Sequence, residues 1–599
     1  MTIDLLDLQS SMPPRVASPH WERVRRPVAA GLSVAVLAAG AGCTSQPALK
    51  VGGGPAGKNT AAPAQLVPEG SAAPADGTRP NIVTIVADDM RTDDLRWMPR
   101  IRELVEEQGL DFRNSFSSNP LCAPARSSLL SGQHSHNTGV VSVEPPRNYS
   151  TFDDRASVGT ALNRAGYNTL FLGKYLNGYG NGRSRVTQKN SFRYVPPGWT
   201  DWYGSVQPPR DSEITGGTYQ YYHLLLNHNG RIEDRHKGVY QTVAEGRIAR
   251  RLVTTYHRSP KPFFLYFAPI APHVGAPREK DDPAPLFLPG TSSPERFKTP
   301  ARPERVHGRF DREIIRASGL PVDGGESQRD VDGLPRPMRW LPPINAKEKA
   351  AMLSLTRQRA EALFMLDQQI GKLVTTLEQT GELDNTVLMF TSDNGYFLGE
   401  HRMRQGKIWT HEPSLRVPFV VTGAGVPRGT RYDPISTEDV AATILDLGGA
   451  SPPRPADGVS VVATFARDRG WRRPVLVENQ VEGPELNAAR YEASTGFHST
   501  LTATGLRTAR WKYVRYIDGD AELYDLTRDP NELHNVHGRR KYAGVQARLA
   551  RVWRTTRRCA GARCRRPLPA ALQVGPRRLA EVTRTQERRV EARYGVELP

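Results

Sequence analysis

A chain of 599 residues with 38% hydrophobic and 24% charged side chains is long enough to bury a sizeable core, and 53 Gly with 49 Pro fall short of a fibrous or wholly disordered composition. The net charge of +19 favours acidic partners, yet much of the excess sits in the final stretch and no stacked basic-aromatic element points to nucleic acid. Four cysteines, Cys43, Cys122, Cys559 and Cys564, are too few and too scattered for a zinc module or a disulfide scaffold.

Near the N-terminus, Arg23, Arg25 and Arg26 precede an apolar run from Val28 to Gly42. Charge, a short apolar segment and small residues read as a secretory signal over 1–42, too short to span a bilayer. A cysteine directly after small residues resembles a bacterial lipoprotein signal, which makes Cys43 a candidate for lipidation, although Gly40 stands where such signals usually carry Leu. The expectation is an exported protein, extracellular or anchored by lipid on the outer face of a bacterial membrane. Residues 43–78 are rich in Gly, Ala and Pro and read as a disordered tether.

Folded structure is expected from residue 79. Asn81 to Ala87 is a β-branched run suited to a strand buried on both faces of a parallel sheet, and it ends in Asp88-Asp89. Similar runs follow at Phe263 to Ile270 and Asn385 to Phe390, with helix-period stretches between them. The clearest helix starts at Asn345, with Glu348 to complete a capping box, and Leu363, Leu366, Ile370, Leu373 and Leu377 step by three and four towards Gly381. Strands alternating with helices predict an α/β core, in which ligands gather at the carboxyl ends of strands. Asp88-Asp89 and Asp393-Asn394 fall there. Three carboxylates and an amide repel one another unless a hard cation neutralises them, and all-oxygen ligation favours calcium, then magnesium, over zinc. Either pair alone also suits a turn.

Leu121-Cys122-Ala123-Pro124-Ala125-Arg126, followed by a short helical stretch and Gly132, carries a Cys-x-Pro-x-Arg pattern that resembles the signature of the type I sulfatases of the alkaline phosphatase superfamily. The resemblance runs from about Arg79 to Val536 through Gly173-Lys174-Tyr175-Leu176-Asn177, Ala271-Pro272-His273, Ser392-Asp393-Asn394-Gly395, Gly406-Lys407, Arg416-Val417-Pro418 and Glu522-Leu523-Tyr524-Asp525-Leu526. Ala125 and Ser131 depart from the commoner Ser and Thr without touching Cys122, Pro124 or Arg126. The resemblance implies a mixed, mostly parallel sheet between helices, with a smaller antiparallel sheet domain behind it. It also implies oxidation of Cys122 to formylglycine by a formylglycine-generating enzyme, and a divalent cation on Asp88, Asp89, Cys122, Asp393 and Asn394. Hydrated, that aldehyde would attack sulfur through one hydroxyl, and the second hydroxyl would expel sulfate as the carbonyl re-forms. Arg126 would hold the hydrate, Lys174 and Lys407 would bind sulfate oxygens, and His273 would contact sulfate or protonate the leaving alcohol.

Many arylsulfatases carry His where this chain has Leu176. Gly-Lys-Tyr-Leu-Asn, with Val195-Pro196-Pro197-Gly198-Trp199 and Trp202-Tyr203, resembles instead the subgroup acting on 6-sulfated glucosamine. Asn177, His136 and His401 are the candidate substrate contacts, and the two histidines are also candidates for the base that breaks down the sulfated intermediate. An aryl sulfate, a phosphonate monoester or a phosphodiester remains an alternative substrate, and a lipid-tethered glycan-binding protein is the alternative of another class.

The expected organisation is a catalytic domain over 79–450 with a Pro-rich insertion at about 275–343, a C-terminal subdomain over 451–536, and a basic tail over 537–599. Trp511 to Ile517 and Ala521 to Leu526, joined by Asp518-Gly519, read as a hairpin in the subdomain. In an exported protein the short spacing of Cys559 and Cys564 suits a local disulfide.

Overall fold

Asn81–Ala87 forms a strand with every residue buried, as its unbroken apolar pattern requires. It lies at the centre of a ten-stranded sheet, between Phe263–Ala268 and Thr386–Ser392 and parallel to both. Beyond Phe263–Ala268 the sheet continues through Asn168–Lys174 and Asp201–Ser205, also parallel, to a short antiparallel hairpin at Leu226–His228 and Arg231–Glu233. On the other side Phe419–Gly423 pairs antiparallel with Thr386–Ser392 and Gly109–Phe112, and Gly429–Arg431 closes the edge.

The pleat of the central strand divides the core. Ile82 and Val86 face a cluster with Phe171, Tyr266, Met389 and the helices Cys122–Ser131, Val158–Arg164 and Thr437–Leu447. Val83 and Ile85 face Leu172, Leu265 and Leu388 and the helices Gln241–Tyr256 and Ala346–Gln379. The result is a sheet between two helical layers, as expected. The long helix opens with the anticipated box: the Glu348 amide donates to Asn345 Oδ1 at 3.0 Å, and the Asn345 amide donates to Glu348 Oε2 at 2.8 Å. Leu363, Leu366, Ile370, Leu373 and Leu377 are all buried against the sheet, each contributing about 1.5–3 kcal/mol.

A second sheet of four antiparallel strands follows, Val475–Glu482, Thr500–Arg507, Trp511–Tyr516 and Ala521–Asp525. One of its faces packs Ala503, Val514 and Tyr516 against Leu121, Ile408 and Trp409 beside the main sheet. The other packs Leu506 and Tyr513 against Leu549, Leu568 and Leu579.

The computed structural model describes residues 79–289, 291, 293–339, 341–482 and 500–598. The expected signal over 1–42, Cys43 and the tether over 43–78 lie outside the described residues. None of the described helices is long and apolar enough to cross a membrane. The segment read as a basic tail is not one: it folds into the helices Ala543–Thr556 and Pro576–Tyr594 joined through a disulfide loop closed by Cys559 and Cys564. Its leucines are spaced among arginines, so a composition reading sees charge where the fold uses the apolar face.

Candidate active site

Register brings the acidic pairs together. Ala87 stands opposite Ser392 on adjacent parallel strands, so Asp88-Asp89 and Asp393-Asn394 leave the sheet side by side at its carboxyl end. The Asp89 amide donates to Asp393 Oδ1 at 3.1 Å, and Asn394 Nδ2 donates to Asp89 Oδ1 at 2.7 Å. Asp89 holds a positive φ of 67°, a conformation that costs a non-glycine residue energy. Arg359, from the long helix, fixes it by donating through Nη2 to the Asp89 carbonyl at 2.6 Å.

Cys122 is the first residue of the helix Cys122–Ser131, and its Sγ lies 3.5 Å from Asp88 Oδ1 and 3.8 Å from Asp89 Oδ1. One turn on, Arg126 donates through Nε to Asp393 Oδ2 at 2.7 Å and through Nη1 to the Lys174 carbonyl at 3.0 Å. Lys174 ends the strand Asn168–Lys174 and pairs with Asp88. Gly173 permits that strand's close approach, since a Cβ there would meet the Ala268 carbonyl oxygen at 2.3 Å. Lys407 pairs with Asp89 and donates to Cys122 Sγ at 3.1 Å. His273 follows the cis Ala271-Pro272 bond, with Nδ1 at 2.7 Å from the Val274 carbonyl and Nε2 at 3.7 Å from Asp89 Oδ2.

Three carboxylates and three cations therefore share one buried space. Burial raises the Asp89 pKa, but Lys407, His273 and Lys174 more than reverse this and hold its carboxyl well below the usual range. Burial pushes Asp393 up, with the Asp88 charge adding to it against Arg126. Burial drives the Cys122 thiol well above its ordinary value, outweighing Lys174 and Lys407, so the unmodified thiol stays protonated and is a poor nucleophile. Burial also takes His273 down to about 3 despite Asp89.

The donor set suits a hard cation. Asp88, Asp89 and Asp393 supply oxygens, and Asn394 Oδ1 is buried without a hydrogen-bond partner, an unmet acceptor that ligation would satisfy. Ligand atoms of Asp88, Asp89, Cys122 and His273 lie within 4.8 Å of one another. A separate cavity of about 80 Å³, lined in part by Arg91, Glu400, Glu412 and Arg416, holds none of these groups. Its cations are committed to its own carboxylates, Arg91 to Glu400 at 2.8 Å and Arg416 to Glu412 at 3.2 Å.

The pocket's half-buried rim is made by His273, Asn177 and Tyr219. Asn177 Nδ2 donates to the Tyr219 hydroxyl at 2.9 Å, the Tyr219 ring lies 4.9 Å from His273, and Lys174 Nζ stands 5.1 Å from it. Tyr219 and Arg359 escaped the sequence reading. The aromatic run Tyr219-Gln220-Tyr221-Tyr222 was the available signal for the first, whereas a helical arginine carries none.

His136 and His401, read as substrate contacts or bases, are engaged elsewhere. His136 pairs through Nδ1 with Glu478, and its Nε2 lies 2.7 Å from the Cys559 carbonyl. His401 is buried with Nδ1 at 3.1 Å from Gln328 Oε1 and its ring 4.5 Å from His411. Glu478 of the C-terminal sheet holds the His136 ring, and Gln328 with His411 holds that of His401.

A sequence profile of the Sulfatase family matches residues 80–450, and one of the N-sulphoglucosamine sulphohydrolase C-terminal domain matches residues 399–558. An arylsulfatase of Volvox carteri is 28% identical over 524 residues, covering 82% of this chain and 76% of the relative. The N-acetylglucosamine-6-sulfatase of Homo sapiens is 27% identical over 499 residues, covering 77% of this chain and 82% of the relative. A solved structure described as holding its substrate D-glucosamine-2-N,6-O-disulfate superposes with a TM-score of 0.56 at 20% identity, over 82% of this chain and 98% of that one. A phosphonate monoester hydrolase from Silicibacter pomeroyi gives 0.54 at 20% identity, over 84% and 100%.

Proposed function

We propose, from the premise that this chain belongs to the sulfatase family and is a sulfuric ester hydrolase, that it removes the 6-O-sulfate of a glucosamine-type sugar through a formylglycine made from Cys122. The observation that carries this reading is the placement of Cys122 at a helix start, within hydrogen-bonding distance of Lys407 and beside Asp88 and Asp89. A thiol pushed up by burial is inert there, and its position makes sense as the precursor of another group.

Asp88, Asp89, Asp393 and Asn394 would hold a divalent cation, calcium before magnesium on their oxygen chemistry. A bound cation would neutralise sulfate charge and acidify the hydroxyl of the matured, hydrated side chain. Lys174 and Lys407, now paired with Asp88 and Asp89, are the point charges available to sulfate oxygens once a cation takes over those carboxylates. Arg126 orients Asp393 and fixes the strand end that carries Lys174. His273 uses Nδ1 on the Val274 carbonyl, which leaves Nε2 to hold or move a proton at the leaving oxygen. Asn177 and Tyr219 line the rim where the sugar would lie.

The N-acetylglucosamine-6-sulfatase relative and the Gly-Lys-Tyr-Leu-Asn segment support a carbohydrate over an aryl sulfate. Maturation requires a formylglycine-generating enzyme as partner, and the N-terminal reading supports export with a lipid anchor at Cys43. The mass of the peptide bearing Cys122 tests the covalent step: loss of one sulfur and two hydrogens with gain of one oxygen is expected, and only free thiol in active enzyme sinks it. Turnover of glucosamine-6-sulfate, nitrophenyl sulfate and phenylphosphonate tests the substrate: the sugar should give the highest kcat/KM, and a preference for either other compound overturns the assignment.

A further inference from the structure

The chain's positive charge is concentrated in one folded place. Between Leu533 and Ala580 the sequence contains no Asp or Glu, while the stretch from Arg539 to Arg566 alone holds eleven basic residues, ten of them Arg. All eleven are exposed, and among the described residues none of them forms an ion pair. On the helix Ala543–Thr556 and just past its end, Arg548, Arg551, Arg554 and Arg558 step by three and four and share one face.

That face is held rigidly. Leu549 is buried on the opposite side of the helix, and Trp553 Nε1 donates to the Thr504 carbonyl of the antiparallel sheet at 3.1 Å. The disulfide loop is pinned as well: Asn137 Nδ2 donates to the Cys559 carbonyl at 2.8 Å and the Gly561 amide to Asp457 Oδ1 at 2.6 Å. Like charges fixed side by side repel and destabilise the fold that carries them, so their place in an ordered helix and loop calls for an anion from outside.

We propose that this face is an exosite for a sulfated polysaccharide, holding the polyanionic chain whose sulfate ester is cleaved at the Cys122 pocket; the second half of that statement rests on the function proposed above. Guanidinium forks match sulfate and carboxylate oxygens in pairs and are more weakly hydrated than ammonium, so the ten arginines suit such a ligand. The helix Cys122–Ser131 links the two places, with Cys122 at its start and the disulfide loop docked on residues 136–137 just past its end, roughly 15 Å along at 1.5 Å per residue. A polymer reaches both; a single sugar does not. An anionic membrane is the rival occupant, but none of the exposed large hydrophobic residues lies between 539 and 566, and the helix spends its apolar face on the sheet instead of offering it to lipid.

The test is direct binding by the full chain and by its Arg551→Ser/Arg554→Ser/Arg558→Ser variant, with heparin as one probe and phosphatidylglycerol–phosphatidylcholine vesicles as the other. The native protein should bind heparin with an affinity that falls as salt rises, and the variant should bind about tenfold more weakly while melting no lower than the native protein. Equal heparin affinity in the two proteins, or retention on vesicles with none on heparin, overturns the proposal. Binding needs no turnover, so a Cys122 found unmatured would count against the reaction and leave this surface standing.

Discussion

The pocket around Cys122 and the face from Arg539 to Arg566 handle charge in opposite ways. In the pocket Asp88, Asp89 and Asp393 meet Lys174, Lys407 and Arg126 one for one, all nearly inaccessible to solvent. On the C-terminal face eleven cations stand in water with no carboxylate paired to them among the described residues. The difference follows from dielectric: an unpaired buried charge costs several kcal/mol, whereas water screens an exposed one within about 10 Å. A buried site must therefore carry its own counter-charges until a cation and substrate replace them, while a surface can hold a field open for a partner.

Cys122→Ala gives the largest expected effect and asks whether the balanced pocket is more than a structural ion cluster. Turnover of any sulfate ester should fall by more than about 10³-fold, because the reacting side chain is gone, while the melting temperature stays near that of the parent. Measurable hydrolysis at a tenth of the native rate would reduce the pocket to a structural role.

Arginine substitutions on the two sides sharpen the contrast. Arg126→Met leaves Asp393 and Asp88 buried with less compensation and should destabilise the protein by about 3–5 kcal/mol. Arg551→Met removes an exposed, unpaired cation and should change stability by less than about 0.5 kcal/mol in denaturant unfolding. Similar losses from both would erase the distinction between the regions.

At the seam between them lies His134. Its Nδ1 is 2.9 Å from Glu438 Oε1, and its amide donates to Asp457, the residue that also accepts from Gly561 of the disulfide loop. Burial alone would lower the imidazole, but Glu438 outweighs it and raises the pKa from 6.5 to about 9. The Glu438 carboxyl, pushed up by burial, is brought down from 4.5 to about 2 by His134. The raised histidine stabilises fully below pH 6.5 and loses its contribution as pH climbs through 9; the depressed glutamate stabilises above pH 4.5 and loses its contribution towards 2. The melting-temperature gap between the native protein and His134→Gln should thus be widest between pH 4.5 and 6.5 and close towards pH 9. A gap independent of pH would remove the ion pair from the account.

The same contrast explains what could be read from the sequence. Asp88, Asp89, Asp393 and Asn394 were legible because each pair sits at the end of a continuous apolar strand, a local pattern with a fixed consequence for position. Short motifs marked Cys122, Arg126, Lys174, His273 and Lys407, and the fold gathers them beside those carboxylates. The folded C-terminal segment was hidden, since Leu549, Leu568 and Leu579 find their partners on strands far back in the chain and only arginine is conspicuous locally. The partners of His136 and His401 were hidden for the same reason: Glu478 and Gln328 come from segments that no spacing connects to them.

Tyr219→Phe is the smallest perturbation and probes an edge where the pocket meets solvent. It removes the hydroxyl that accepts from Asn177 and keeps the ring beside His273 and Lys174. A net hydrogen bond is worth about 1 kcal/mol, so KM for a glucosamine-6-sulfate should rise roughly fivefold with kcat changed less. Because Asn177 is lined up by that hydroxyl, the change should be smaller for nitrophenyl sulfate, which has no sugar hydroxyls to orient. Equal effects on the two substrates would mean that the rim shapes the pocket without reading the sugar, and the choice of substrate would then have to come from elsewhere on the chain.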